Sequence, residues 1–325
     1  MPVVLVTGAS GFVGGPVCGA LREAGWRVRG AIRSESDGAR LPSGVEPIVV
    51  GSIGAETPWE SALAGADAVV HLAARTHVMA ENAQDPLAVY REINVGGTQR
   101  LARSAVAMGI RRFVFLSSVK VNGEGLSNRP YLAEDAPQPE DPYGISKWEA
   151  EGALGRIAAE SGLGVVVLRS PLVYGPGVKA NFLQLMRAVD RGIPLPVAAI
   201  ENKRSLIYVG NLAGAIAACA TQPKAAGRTY LVSDGEDVST AELVRRIARA
   251  MGRSPRVFRF PRVPMEAAAY LLGRAKAAKR LFGSLLVDSS AIRAELDWVP
   301  PFTMDQGLRE TAAWFQNRPA LARLA

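Results

Sequence analysis

Short apolar runs alternate with helical periodicity through the first half of the chain. Val3–Val6 is a compact apolar run that leads into glycines, and Val17, Leu21 and Ala24 then recur at helical spacing until Gly25 stops the pattern. Further strands are expected near Val28–Ile32, Pro47–Val50 and Ala68–Leu72, and a long helical stretch from about Asp85 to Met108. Phe113–Leu116 reads as a strand with Ser117 and Ser118 at its end. Asp141-Pro142 opens another helix, and Val165–Leu168 reads as one more strand. Strands that are apolar throughout and rich in β-branched residues, separated by helices, predict a parallel sheet covered on both faces.

From Pro171 the texture changes. Prolines gather at Pro171, Pro176, Pro194 and Pro196, and mixed helices and short strands replace the alternation. No Gly/Ser or charged linker separates the two regions, so the second is expected as a lobe built onto the first. There is no internal repeat or low-complexity tract.

Gly8, Gly11 and Gly14 lie between the first strand and the first helix. Glycines there let the backbone turn tightly and approach a pyrophosphate seated on the helix N-terminus. With Ser10, Phe12 and Val13 they form the expected dinucleotide cradle. The fold expected is therefore an α/β Rossmann doubly wound parallel sheet, with residues 1–170 as the dinucleotide-binding domain. Residues 171–325 are expected as a smaller α/β substrate lobe, some of whose segments return to the first domain. An NAD-specific site commonly carries an acidic residue at the end of the second strand. Here Ile32 and Arg33 occupy that place, and an arginine without the acid suits a 2′-phosphate, which favours NADP(H) over NAD(H).

Tyr143 and Lys147 are four residues apart, so both side chains emerge on one helix face. A nearby ammonium and the positive nicotinamide favour the phenolate and lower its pKa from about 10. Tyr143 can then move a proton to or from a sugar oxygen during hydride transfer, Lys147 hold the nicotinamide ribose, and Ser118 donate to the same oxygen.

With 325 residues, 48% hydrophobic, the chain can bury a large core. The net charge of +8 comes mostly from scattered arginines without interleaved aromatics. That pattern disfavours nucleic acid and suits a nucleotide substrate, although a composition bias explains it as well. Cys18 and Cys219 form no CxxC pair and read as buried thiols of a reducing compartment. The immediate opening into Pro2–Val6 leaves no room for a signal peptide, and Leu212–Ala220 is too short to span a bilayer, so a cytoplasmic protein is expected. With two histidines and no paired cysteines, no metal site is expected.

Taken together these motifs resemble the extended short-chain dehydrogenases/reductases, in particular the nucleotide-sugar epimerase/dehydratase/reductase superfamily. The resemblance runs essentially end to end. It includes His71-Leu72-Ala73-Ala74, Asn94-Val95-Gly96-Gly97-Thr98, Tyr174-Gly175-Pro176-Gly177, Arg204-Ser205-Leu206-Ile207-Tyr208-Val209 and Leu296-Asp297-Trp298-Val299-Pro300. It implies that Leu72, Ala73, Ala74 and Pro171 line the cofactor. It also implies that Arg204 meets the substrate diphosphate, that Asn181 and Phe182 lie near the nucleotide, that Asp288 contributes to the substrate site, and that homodimers form through the Asp85–Met108 and Asp141–Ser161 helices.

Departures from the family pattern narrow the chemistry. Dehydratases carry an Asp-Glu pair where this chain has Val119 and Lys120, so water elimination is not expected. UDP-hexose 4-epimerases usually carry an asparagine where this chain has Leu172, and an acid where it has Ile32. The segments Ser117–Glu124 and Arg280–Leu285 are similar to 4-ketoreductases that form UDP-N-acetylquinovosamine for bacterial surface polysaccharides. The leading expectation is accordingly an NADP(H)-dependent reductase of a UDP-4-keto-6-deoxy-N-acetylhexosamine. The alternatives are an NAD-dependent UDP-sugar 4-epimerase and a non-catalytic dinucleotide sensor.

Several residues keep two readings. Lys120 either touches the sugar or faces outward as a strand-end cation. His71 suits backbone anchoring or packing better than catalysis, and His77 has no partner signature. Ser52 stands where relatives often have an Asp near the adenine. The basic stretch from Met265 to Phe282, with Arg274, Lys276, Lys279 and Arg280, reads as a solvated face rather than a membrane-grazing one.

Overall fold

The computed structural model describes residues 1–76, 85–124, 129–271, 273 and 281–318, leaving aside the side chains of 268 and 269. His77, Arg274, Lys276, Lys279 and Arg280 lie outside the described residues. In chain order the elements are β1 (Val3–Thr7), α1 (Gly14–Glu23), β2 (Arg27–Ile32), β3 (Glu46–Val49), α2 (Glu60–Leu63), β4 (Ala68–His71), α3 (Pro86–Tyr90), α4 (Gly97–Ala107), β5 (Arg112–Ser118), α5 (Pro142–Ser161), β6 (Gly164–Ser170), β7 (Leu172–Tyr174), α6 (Ala180–Asp190), β8 (Arg204–Tyr208), α7 (Val209–Thr221), β9 (Thr229–Leu231), β10 (Asp237–Val238), α8 (Thr240–Ala250), α9 (Arg262–Leu271), α10 (Ser290–Leu296) and α11 (Met304–Gln316).

Among the described residues the strands form a seven-stranded sheet in the order β3-β2-β1-β4-β5-β6-β9, every pair parallel. Successive side chains of the central strands enter opposite cores, whereas edge strand β3 is mostly exposed. Val4 and Val6 of β1 pack with Val114, Val166 and Leu168 on the face covered by α1 and α7. Leu5 packs with Phe113, Phe115, Val165 and Val167 on the face covered by α4 and α5. This two-sided burial explains why the strands read as unbroken apolar runs.

Residues beyond Ser170 divide between two cores. Helix α7, strand β9 and helix α10 return to the main sheet, where Leu212, Ile216, Cys219, Tyr230, Ile292 and Leu296 join the first core. The apolar run Leu212–Ala220 is thus an interior helix face. The rest builds a second core around Tyr174, Phe182, Tyr208 and helices α6, α8 and α11, beside a small β10-β8-β7 sheet. No described helix is long and apolar enough to cross a membrane.

The helix expected over 85–108 is not uniform. Between α3 and α4 the backbone widens into a π-helical turn over Arg91–Gly96, with Asn94 buried inside it. The Asn94 side chain is bonded to Arg75 and Ser146, and these tertiary bonds reward a widened turn that local propensity does not encode.

A buried ion pair ties α5 to the sheet. Arg169 of β6 meets Glu151 of α5 at 2.7 Å, with side chains 6% and 9% exposed. Glu151 also accepts from Ser117 at 2.5 Å, and Arg169 also donates to Asn122. Glu151→Ala leaves the guanidinium buried without its partner and is expected to lower unfolding free energy by about 3–5 kcal/mol. Denaturant titration checks this, and a combined Glu151→Leu, Arg169→Met variant is expected to lose less than the single one.

Candidate active site

The cradle at the end of β1 is built by close approach of backbone to backbone. Gly8 has φ +70°, and a Cβ there would lie 2.9 Å from the Ala73 nitrogen. A Cβ on Gly14 would lie 2.2 Å from the Gly8 carbonyl oxygen and 2.5 Å from that of Ala9. Only glycine allows α1 to begin so near the strand end. Helix α1 starts without a side-chain cap and without an acidic residue in its first turn. A pyrophosphate fits there, because the first-turn N–H groups and the helix dipole meet no competing carboxylate.

Phe12 and Val13 follow the glycine turn. Their side chains pack into the second core, and a Cβ on Gly177 would meet the Phe12 ring at 3.2 Å. Ser10 is half-buried and Gly11 exposed. Leu72, Ala73 and Ala74 follow β4 and lie half-buried beside the glycines, and Pro171 is buried directly after β6. Arg33 is exposed at the end of β2, and Ser52 is exposed just after β3.

The ends of β1, β4 and β5 are held in register by His71. Thr7 pairs with His71, and His71 with Phe115. Thr98 donates its hydroxyl to the Asn94 carbonyl at 2.6 Å, so its oxygen receives the Nε2 proton of His71 at 2.9 Å. Nδ1 then accepts from the Thr7 hydroxyl at 2.7 Å, while the Thr7 oxygen accepts the Ala73 N–H at 3.2 Å. This directional chain requires a neutral imidazole. Burial, aided by the nearby Lys147 charge, pushes the His71 pKa down to about 3. His71 therefore ties the backbone after β4 to Thr7 and Thr98, one of the anchoring or packing roles that its strand-end position suits.

The catalytic candidates sit at the end of β5 and on the first two turns of α5. Ser118 is the last residue of β5, and its Oγ accepts the Lys120 N–H at 3.3 Å. Asp141 caps α5 by accepting the Gly144 N–H at 2.7 Å, which sets Tyr143 and Lys147 on the first two turns. The Tyr143 ring meets Tyr90 edge-on at 6.3 Å. Lys147 is only 2% exposed, and its Nζ sits 3.8 Å above the Phe115 ring centre.

The electrostatics differ from the sequence expectation in one respect. Burial, then the Asp141 charge and Tyr90, pushes the Tyr143 pKa above its ordinary value, whereas Lys147 was expected to lower it. Burial pushes Lys147 itself down to about 7, with Glu151 acting weakly against it. In the protein alone, desolvation of Tyr143 and the nearby Asp141 charge both disfavour the phenolate.

The expected substrate residues are dispersed in the second lobe. Asn181 is exposed at the start of α6, but the Phe182 ring is 4% exposed and stacks on Tyr174 at 5.5 Å, a core position rather than an open face. Arg204 begins β8, and one guanidinium nitrogen donates to the Gly283 carbonyl at 3.3 Å. Asp288 accepts the Ser290 N–H at 2.7 Å at the entry to α10, and hydrogen bonding from the Ser290 side chain, then from its backbone, lowers the Asp288 pKa. Lys120 is a largely buried cation, its side chain 16% exposed, rather than an outward-facing one. Its ammonium is bonded to Glu124 at 2.8 Å and to Asp141. Among the described residues no three His, Cys, Asp or Glu side chains cluster as a metal site.

Sequence reading gave no role to Phe115 or Glu151, named Asn94 only within a family motif and took Asp141 only as part of a helix start. The Asp-Pro pair ahead of Tyr143 is a helix-cap signature that marks Asp141, whereas Phe115 and Glu151 matter only through strand register and helix packing.

Comparison with known proteins adds a second line of observation. The NAD dependent epimerase/dehydratase family matches residues 4–233. A UDP-glucose 4-epimerase of Vibrio cholerae is 44% identical over 318 residues, covering 96% of this chain and 95% of the relative. An N-acetyl-alpha-D-glucosaminyl-diphospho-ditrans,octacis-undecaprenol 4-epimerase of Escherichia coli O157:H7 is 27% identical over 326 residues, covering 95% and 93%. Among solved structures, MoeE5 in complex with UDP-glucose and NAD superposes with a TM-score of 0.76 at 27% identity, covering 96% of this chain and 98% of the other.

Lys147 gives a prediction with a definite sign. Its pKa is depressed from 10.5 to about 7, so between those values the unfolded chain holds a proton that the folded chain lacks. Stability contributed at this site therefore rises with pH across that window, and the full penalty is felt below about pH 7. Lys147→Met is expected to raise the Tm of cofactor-free protein near pH 6.5, by about 2 °C for each kcal/mol relieved. The gain is expected to vanish as pH approaches 10.5. Calorimetry across this range checks it, and an unchanged Tm throughout would mean that the ammonium is not desolvated.

Proposed function

The chain belongs to the NAD dependent epimerase/dehydratase family of extended short-chain dehydrogenases/reductases, and on that premise we propose that it is a UDP-hexose 4-epimerase working with a retained NAD. What carries the proposal is the Vibrio cholerae relative, matched over nearly the whole chain and named for that reaction. This reading replaces the leading sequence expectation, a 4-ketoreductase, and keeps the residues assigned to it.

Bound at the α1 N-terminus, the dinucleotide would supply a hydride acceptor and donor for C4 of the sugar. Tyr143 takes the proton of the 4-hydroxyl as that carbon is oxidised and returns it to the oxygen once the sugar presents its other face. Ser118 donates to the same oxygen, so the developing charge meets a fixed dipole. Lys147 holds the ribose and, when protonated, stabilises the phenolate. Gly8, Ser10, Gly11, Gly14 and the backbone of Phe12 and Val13 seat the pyrophosphate, while Leu72, Ala73, Ala74 and Pro171 line the adjoining wall. Asn181, Arg204 and Asp288 stand as the candidate contacts of the lobe to the UDP, with Phe182 supporting Asn181 from the core.

One observation favours a second reading. The second strand ends at Ile32 and an exposed Arg33 rather than at a carboxylate, which suits NADP(H) and, with it, reduction of a 4-keto-6-deoxy sugar with exchange of cofactor at each turnover.

Product analysis by NMR separates the two. With UDP-glucose or UDP-N-acetylglucosamine and no added cofactor, the 4-epimer is expected to form. Failure of every UDP-hexose, together with NADPH consumption on a UDP-4-keto sugar, would overturn the proposal. Tyr143→Phe is expected to lower kcat by roughly 10²–10⁴-fold with dinucleotide affinity within about twofold of the parent. An unchanged kcat would remove Tyr143 from the chemistry.

A further inference from the structure

We propose that Lys120 is a positioning residue, whose ammonium joins Glu124 and Asp141 in an ionic clamp that holds the Ser118 strand end against the first turn of α5. The proposal rests on the reading of Ser118 and Tyr143 as the groups that meet the substrate oxygen, one on each side of the clamp.

Lys120 touches both elements at once. Its backbone N–H donates to the Ser118 Oγ at 3.3 Å, so any shift of this residue moves the oxygen it orients. Its Nζ donates to Glu124 Oε1 at 2.8 Å and to Asp141 Oδ2. The other Asp141 oxygen, Oδ1, accepts the Gly144 N–H at 2.7 Å, on the residue immediately after Tyr143. One carboxylate therefore carries the catalytic helix start on one oxygen and the catalytic strand end on the other.

The backbones beneath this clamp are already in contact. A Cβ placed on Gly144 would lie 3.0 Å from the Lys120 carbonyl oxygen. Gln138, three residues before Asp141, donates its N–H to the Val121 carbonyl at 2.9 Å. With glycine at 144 there is no side chain to set the spacing between the two elements, and the ion cluster performs that task.

The side chains of Lys120, Glu124 and Asp141 are 16%, 12% and 22% exposed, so water screens them poorly. Removing the central cation leaves two carboxylates facing each other in this shielded setting, and their repulsion acts to part the strand end from the helix cap. The Lys120 ammonium offsets one of the two neighbouring carboxylate charges, and two of its three protons are committed to them.

Lys120→Met, which keeps the length of the side chain and removes the charge, tests the clamp in the full-length protein with NAD present. Hydrogen–deuterium exchange is expected to rise about tenfold in both 117–124 and 141–147, the scale on which about 1.4 kcal/mol of local opening reads out, with the rest of the chain unchanged. In the same variant kcat for the UDP-hexose is expected to fall about tenfold, while KM and NAD affinity stay within about twofold. Lys120→Arg keeps the charge and is expected to recover most of both effects. Should the methionine variant fail to fold, Glu124→Gln is expected to show the same two changes at smaller size. Unchanged exchange in 141–147, or a kcat within twofold of the parent, would overturn the clamp. An equal loss of kcat, NAD affinity and Tm would do so too, because it marks general structural damage. If the parent protein interconverts no UDP-hexose, the functional proposal fails and the exchange result alone decides the clamp.

Discussion

Packing of α5 flat against the centre of the sheet forces the Lys147 ammonium into the protein interior, and much of the site is arranged around that charge. Strand β5 offers it the face of Phe115 rather than a carboxylate. A full ion pair there would stabilise the fold and fix the lysine away from a ribose. An aromatic face attracts the cation more weakly and leaves its protons available. The same packing places Tyr143 one turn earlier on the helix and sets Ser118 at the end of the strand beneath, so a single helix-on-strand contact arranges all three candidates. The cost is a depressed lysine pKa and a fold less stable near neutral pH than it would otherwise be, a trade common at functional sites.

Around this charge the polar interior is wired in one direction. Hydrogen bonds run from Ala73 through Thr7 to His71, and from His71 through Thr98 to the Asn94 carbonyl. The Asn94 side chain then reaches Ser146, whose hydroxyl donates to the Tyr143 carbonyl. The wall of the cofactor cradle and the helix of the acid/base candidates are thus parts of one network that passes through a neutral histidine. Such a network holds geometry only when every member is satisfied, and the donor directions just given satisfy His71 completely.

Much of this was legible in the chain. The strands could be read because both faces of the sheet are buried, so their apolar runs are uninterrupted. The glycine spacing could be read because Gly8 and Gly14 answer local steric demands. Tyr143, Lys147 and Ser118 announced themselves through helical spacing and a strand end. What escaped depends on contacts distant in sequence. The π-turn at Asn94 is rewarded by Arg75 and Ser146, and the pairing of Glu151 with Arg169 by strand register. The inward turn of Lys120 answers to Asp141, and no periodicity records such partners. The resemblance places Phe182 near the nucleotide, and the packing of its ring into the second core is a feature that motif position does not record. Motif departures at Ile32 and Leu172 led the sequence reading to a reductase, but both chemistries use the same three side chains, and the Vibrio cholerae relative favours the epimerase.

An epimerase and a reductase differ in the fate of one hydrogen. In an epimerase the hydride taken from C4 returns to the same carbon, so the cofactor is restored within a single turnover and need not leave the α1 N-terminus. The most direct measurement is therefore to supply UDP-glucose deuterated at C4, with no added cofactor, and to locate the label by NMR and mass spectrometry. The account predicts a 4-epimer that retains the deuterium at C4. A product that has lost the label, or label recovered in a dinucleotide released to solution, would contradict it.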